Sequence, residues 1–197
     1  MARENHDEIV LVIDRSGSMG HIKSDTIGTL NTFLESQKAV VGRTASLTVV
    51  YFNDTYKVLH DGVDIESVMF NDRNYTPEGV TALLDAIGKG IDTVGGRLGN
   101  TPENERPEKV VFAVMTDGLE NASKEYTQEQ IKEKIKHQSE VYGWFFEFLG
   151  ANIDVVAEAG GIGIDKGQTI SFQSTADGVR QAGADLGQRF TSHRTGK

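Results

Sequence analysis

A chain of 197 residues with 38% hydrophobic content is long enough to bury a core and fits one domain over 1–197. It has no cysteine, which excludes disulfides and thiolate metal sites. Its net charge of −9 argues against a general nucleic-acid binder, because neutralising phosphate takes clustered Lys and Arg, and the basic tail of His193, Arg194 and Lys197 is too short to reverse that.

The first apolar run begins by Ile9, leaving no space for a basic region and a signal-peptide stretch, and no segment approaches about 18 consecutive apolar residues. Secretion by that route and membrane spanning are therefore not expected. Ile9 to Ile13 is apolar without alternation, as in a strand buried on both faces of a parallel sheet. It ends in Asp14, Ser16 and Ser18, whose i, i+2, i+4 spacing lets three hard oxygen donors converge, the donor type Mg²⁺ prefers. Ligands in open α/β sheets bind at such carboxyl ends. Ile22, Ile27, Leu30, Phe33 and Leu34 predict a helix; Ser46 to Phe52 reads as a strand, Asn53-Asp54 as a turn, and Tyr56 to Leu59 as the returning arm of a hairpin.

Thr81 precedes a helix that carries Leu83, Leu84, Ile87, Ile91 and Val94 on one face, and Gly95, Gly96 and the stretch GNTPENERP read as the loop after it. Lys109 to Met115 predicts a buried strand leading to Asp117. Thr127 with Gln130 resembles a capping box that opens a helix through Ile131, Ile135 and Val141. Trp144 to Leu149 reads as a strand, Ile153 to Ala159 as a short helix, Thr169 to Phe172 as the last strand, and Val179, Ala182, Leu186 and Phe190 as a closing helix. The alternation predicts an α/β protein: a three-layer α/β/α sandwich whose doubly wound, mostly parallel sheet has one antiparallel edge strand.

The pattern D-x-S-x-S, a threonine opening a helix, and T-D-G after a strand resembles the metal-ion-dependent adhesion site (MIDAS) of von Willebrand factor type A (vWA) domains, over about the first 150 residues. The resemblance implies that Ser16, Ser18 and Thr81 bind a metal through side-chain oxygen, and that Asp14 and Asp117 act directly or through water. It also implies Mg²⁺ or Mn²⁺ with one coordination position open to an Asp or Glu of a partner protein. The expected function is then a metal-dependent protein-binding module, an adaptor or assembly factor that breaks no bond. Integrin-type I domains can add acidic residues beside the serine loop for a second metal; Met19, Gly20 and His21 stand here, so none is expected. The segment FLGANIDVVAEAGGIGIDKG is similar to the C-terminal part of bacterial and phage-type vWA proteins, which implies a cytoplasmic setting in a bacterium or phage-infected cell.

Each residue also has a plainer reading. Ser16, Ser18 and Thr81 suit helix caps, and Asp117-Gly118 suits a turn. Asp85 reads as a solvated or capping carboxylate rather than the holder of a site water. Glu120 and Asn121 read either as a turn or as a rim that contacts a partner. Lys124, Lys132, Lys134 and Lys136 alternate with glutamates as on a solvated face, and the scattered histidines show no metal spacing. The alternative function is a Mg²⁺-dependent hydrolase acting on phosphate esters, but Ser16 stands where the D-x-D-x-T pattern of haloacid-dehalogenase-type enzymes has its acid/base aspartate. Phosphate-binding glycine loops and a G-x-S-x-G elbow are missing after the first strand.

Overall fold

A computed structural model describes residues 2–151 and 153–196; Lys197 of the expected basic tail and Asn152 lie outside them. Six strands form one sheet in the order β3-β2-β1-β4-β5-β6. They are β1 (Arg3–Asp14), β2 (Thr44–Phe52), β3 (Tyr56–Asp64), β4 (Pro107–Thr116), β5 (Phe145–Ala151) and β6 (Thr169–Phe172). All neighbours pair in parallel except β2 with β3, which close the hairpin at one edge. The helices are α1 (Lys23–Lys38), α2 (Leu83–Asn100), α3 (Gln128–Tyr142), α4 (Val155–Gly161) and α5 (Ala176–Thr195).

The unbroken apolar run of β1 serves two cores at once. Ile9, Leu11 and Ile13 pack with Leu30, Phe33 and Phe190 of α1 and α5, while Val10 and Val12 pack with Ile87, Ile91 and Ile131 of α2 and α3 on the opposite face. This is the expected three-layer sandwich. The chain leaves β1 toward β2 on one side and later places β4 on the other. The carboxyl ends of β1 and β4 therefore flank the point where the winding reverses, the usual ligand crevice of such sheets.

The strands run further back than their apolar cores. β1 starts at Arg3 rather than Ile9, because Asp7 and Glu8 are buried inside it and hold arginines from remote elements. Asp7 is bound by Arg43 (2.6 Å) and Arg194 (2.8 Å), and Glu8 by Arg97 (2.8 Å) and the Thr48 hydroxyl (2.6 Å). Arg194, placed in the expected basic tail, is instead 0% exposed near the end of α5. Its neighbour His193 stacks on Phe145 with ring centroids 4.3 Å apart.

Two helical expectations also change. Gly95, Gly96 and Gly99 lie within α2, which runs on to Asn100, so the loop starts only at Thr101. Packing of Ile87, Ile91 and Val94 against the sheet outweighs the roughly 1 kcal/mol helix cost of a glycine. Val141 is 60% exposed. Ten residues at roughly 100° each turn it about 80° from Ile131, off the buried face of α3. The capping box is present, with Gln130 N–H donating to the Thr127 hydroxyl and Thr127 N–H to Gln130 Oε1.

Candidate metal centre

Asp14 ends β1 with 0% exposure, and both of its carboxylate oxygens are engaged. Oδ1 accepts from Ser16 N–H (2.6 Å) and Oδ2 from the Thr116 hydroxyl (2.6 Å), while Tyr75 donates to the Asp14 carbonyl (2.7 Å). From there the chain turns through Ser16 and Ser18, whose hydroxyls lie 3.1 Å apart, and the Ser18 hydroxyl donates to Asp117 Oδ1 at 2.5 Å. Neither serine acts as the simple cap it resembles, since Ser16 precedes the short 3₁₀ turn Gly17–Ile22 without a side-chain capping bond.

Thr81 reaches the same place from the loop before α2. A β-carbon added to Gly118, next to Asp117, would sit 3.4 Å from the Thr81 hydroxyl oxygen. That hydroxyl caps nothing: Ala82 is the residue before α2, and the first N–H groups of the helix are served from across the site. Leu84 N–H donates to Glu120 Oε2 (2.9 Å) and Asp85 N–H to the Ser123 hydroxyl (3.0 Å). Capping in trans leaves the Thr81 oxygen uncommitted to the helix. The structure thus brings Asp14, Ser16, Ser18, Thr81 and Asp117 to one spot from three loops.

The loop that carries Thr81 is held by residues that the motif does not show. Asn53 is a buried hub: its amide donates to the Glu78 carbonyl (2.9 Å), its carbonyl accepts from Ala82 N–H (2.8 Å), and its Oδ1 accepts from Thr55 N–H (2.8 Å). Asn121 grips Thr81 on both sides, donating from its backbone to the Thr81 carbonyl (3.1 Å) and accepting Thr81 N–H at Oδ1 (3.0 Å). Gly79 lies between, at φ +76°, with its carbonyl accepting Gly17 N–H (3.2 Å). A side chain there would meet Asp54 Oδ1 at 3.0 Å and Asn53 Nδ2 at 3.1 Å. Gly79→Ala is expected to cost about 1–2 kcal/mol of stability from the left-handed backbone alone, read by urea denaturation, and to loosen the Thr81 loop as well.

Glu120 serves the turn, accepting from Ala122 N–H (2.9 Å), Ser123 N–H (2.7 Å) and the Ser123 hydroxyl (2.7 Å). Asp85 is the capping carboxylate. It accepts the N–H groups of Lys124, Glu125 and Tyr126, each at 2.9 Å. Burial works against its charge, but those bonds outweigh it and hold the carboxyl below the usual range. A lowered folded pKa means that its stabilisation is present above the unfolded value near 3.9 and is lost as pH falls through the folded one. Asp85→Ala is expected to cost about 2 kcal/mol at pH 7, and its deficit to shrink in denaturation experiments below pH 4.

The electrostatics favour a cation among these five. Burial pushes the Asp14 carboxyl up and the nearby charge of Asp117 pushes the same way, against the bonds from Thr116 and Ser16. Asp117 Oδ2 is buried and has no hydrogen-bond partner among the described residues, a costly state for a carboxylate oxygen that a cation would relieve. Among the described residues no group of three or more His, Cys, Asp or Glu comes together, so a cation here depends on hydroxyl oxygens as well as carboxylates. The donor set of three hydroxyls and two carboxylates is all hard oxygen and fits Mg²⁺ or Mn²⁺.

No protein-family model and no curated protein matches the chain. Solved structures do. Proximal thread matrix protein 1 of the mussel byssus superposes with a TM-score of 0.63 at 18% identity over 95% of this chain and 46% of its own. The von Willebrand factor domain of the pilus tip protein Mfa5 from Porphyromonas gingivalis gives 0.68 at 12% identity over 93% and 94%. A von Willebrand factor type A protein from Catenulispora acidiphila gives 0.61 at 13% over 95% and 43%. The chain has the vWA fold. It spans about half the length of the mussel protein, one structure of which has zinc in its MIDAS motif.

These neighbours correct the expected setting. They include a byssus matrix protein, a pilus tip protein, a minor pilin from Streptococcus sanguinis and a pilus adhesin from Lactobacillus rhamnosus, so a cytoplasmic placement does not stand. Among the described residues no helix is long and apolar enough to cross a membrane.

Proposed function

We propose that residues 1–197 form one metal-dependent protein-binding module, working as an adhesion or assembly domain at a cell surface, pilus or extracellular matrix rather than as an enzyme. Ser16, Ser18 and Thr81 hold Mg²⁺ or Mn²⁺ through their hydroxyls, Asp117 supplies its free carboxylate oxygen, and Asp14 acts from behind by fixing Ser16 and Thr116. Such a cation keeps a position for an outside oxygen, and a partner's Asp or Glu completes it. The observation that carries this reading is Asp117 itself: its buried Oδ2 has no hydrogen-bond partner among the described residues, while its Oδ1 accepts from the Ser18 hydroxyl and the next residue, Gly118, lies against the Thr81 hydroxyl. A phosphate-ester hydrolase would need Asp14 as an accessible nucleophile, whereas it is fully buried with both oxygens bonded.

Selection from a displayed random peptide library in Mg²⁺ is expected to enrich peptides that carry Asp or Glu, with binding lost in a chelator and in Asp117→Ala. Enrichment of peptides without an acid, or binding unchanged by chelation, contradicts the reading.

A further inference from the structure

Between the last turns of α2 and α3 lies a cavity of about 580 Å³, within the roughly 300–1,000 Å³ typical of small-molecule sites. It opens at the amino ends of β4 and β5, the opposite end of the sheet from Asp14 and Asp117. Gly95, Gly96 and Gly99 form its α2 wall. A β-carbon would meet nothing within 4 Å at Gly96 or Gly99, and at Gly95 only the Gln138 amide at 3.5 Å. None of the three has a positive φ. Neither space nor backbone conformation demands glycine here, and alanine would strengthen the helix at each position. What the three glycines provide is room, and local rules are broken in this way where a site needs it.

Trp144 supplies the floor. It is 6% exposed and stacks on Phe112 with ring centroids 6.3 Å apart, while its indole N–H has no hydrogen-bond partner among the described residues. A buried indole usually finds an acceptor, so a ligand in the cavity is placed to provide one. Ile91, Leu98 and Val110 make the rest of the floor apolar, and at the mouth Tyr142 meets His137 edge-on at 5.5 Å.

The charged groups of the lining are committed elsewhere. Asp92 is bound by Lys134 (2.6 Å) and the Tyr126 hydroxyl (2.7 Å), and Glu108 by Arg43 (2.9 Å) and Asn5 N–H (2.8 Å). Arg106 donates to the Thr101 (2.8 Å) and Gly99 (3.1 Å) carbonyls, and its charge is felt by Glu103. The side chains without a hydrogen bond among the described residues are those of Trp144, Tyr142, His137 and Gln138. At neutral pH all four are uncharged in their ordinary state.

We infer that this cavity binds an uncharged, planar aromatic small molecule carrying a carbonyl or ring-nitrogen acceptor, which takes the Trp144 N–H while its ring lies against the glycine face of α2. Benzamide, benzoate and benzamidinium share one shape and differ in charge, and Trp144 is the chain's single tryptophan, so its fluorescence reports on this cavity alone. Benzamide is expected to change that fluorescence saturably, with an affinity about fivefold or more above that of either ion, because an ion would enter without a free counter-charge.

Gly96→Leu and Gly99→Leu fill the space. Each is expected to abolish the saturable change and to raise the melting temperature, which shows that the variant is folded. Trp144→Phe, read by ligand-observed NMR, is expected to weaken benzamide binding about fivefold through loss of one hydrogen bond. Absence of a saturable response to benzamide, a preference for either ion, or an affinity that the two leucine variants leave unchanged overturns the site; an unchanged affinity in Trp144→Phe overturns the role of the indole.

Discussion

Asp7→Ala is expected to destabilise the fold by about 3–5 kcal/mol, the range for removing one partner of a buried ion pair. Asp7 joins the start of the sheet to two helices' ends: Arg43 follows α1, and Arg194 closes α5. Arg194 is 0% exposed, and without Asp7 its guanidinium retains, among the described residues, the Gln37 carbonyl (2.9 Å), the Gln37 amide oxygen (3.0 Å) and a distant Thr44 carbonyl (3.5 Å). A full positive charge would then stay in the interior without a counter-charge. Arg194→Met should cost less, because Asp7 keeps its bond to Arg43, and the double variant Asp7→Ala with Arg194→Met should recover part of the loss. Chemical denaturation of the three variants checks the order, and an Asp7→Ala protein as stable as the parent would contradict it.

Asp117→Asn is expected to do the opposite of an ordinary buried substitution. In a chelator it should raise stability by about 1–2 kcal/mol, because it removes a buried negative charge and its repulsion with Asp14. In Mg²⁺ at about 100 times its dissociation constant the parent gains about 2.7 kcal/mol by linkage, or roughly 5–10 °C for a chain of this size. The variant gains little, so the order of the two proteins inverts on adding the ion. Calorimetric melting with and without Mg²⁺ reads both limbs. A variant that is less stable in chelator and equally responsive to Mg²⁺ would show that Asp117 is structural only.

What could be read in advance followed the range of the interactions involved. The buried character of β1, the alternation of strands and helices, and the capping box at Thr127 are local patterns, and all appear in the structure. Asp14, Ser16 and Ser18 declare themselves by spacing within five residues, and Thr81 and Asp117 by their places before a helix and after a strand. Their convergence is visible only in three dimensions.

The supports were not legible for the same reason. Asn53 looked like half of a turn, yet it holds both ends of the Thr81 loop 25 or more residues away. Thr116 stood inside the T-D-G motif and could have been suspected, but its partner, Asp14, is 102 residues distant. Asp7, Glu8 and Arg194 belong by composition on a surface, and only arginines and carboxylates from remote elements make their burial possible. The glycines of α2 misled in the other direction, since sheet packing decided the helix's length over local propensity.

The central claim is that Ser16, Ser18, Thr81 and Asp117, from three loops, hold one divalent ion, with Asp14 fixing the site from behind. Titration calorimetry of Mg²⁺ or Mn²⁺ into the metal-free protein tests it most directly, on the parent, Ser16→Ala, Thr81→Ala and Asp117→Asn. One ion per chain, with affinity falling at least tenfold in each variant, is the predicted result; no saturable binding to the folded parent, or binding that all three variants leave unchanged, would contradict it.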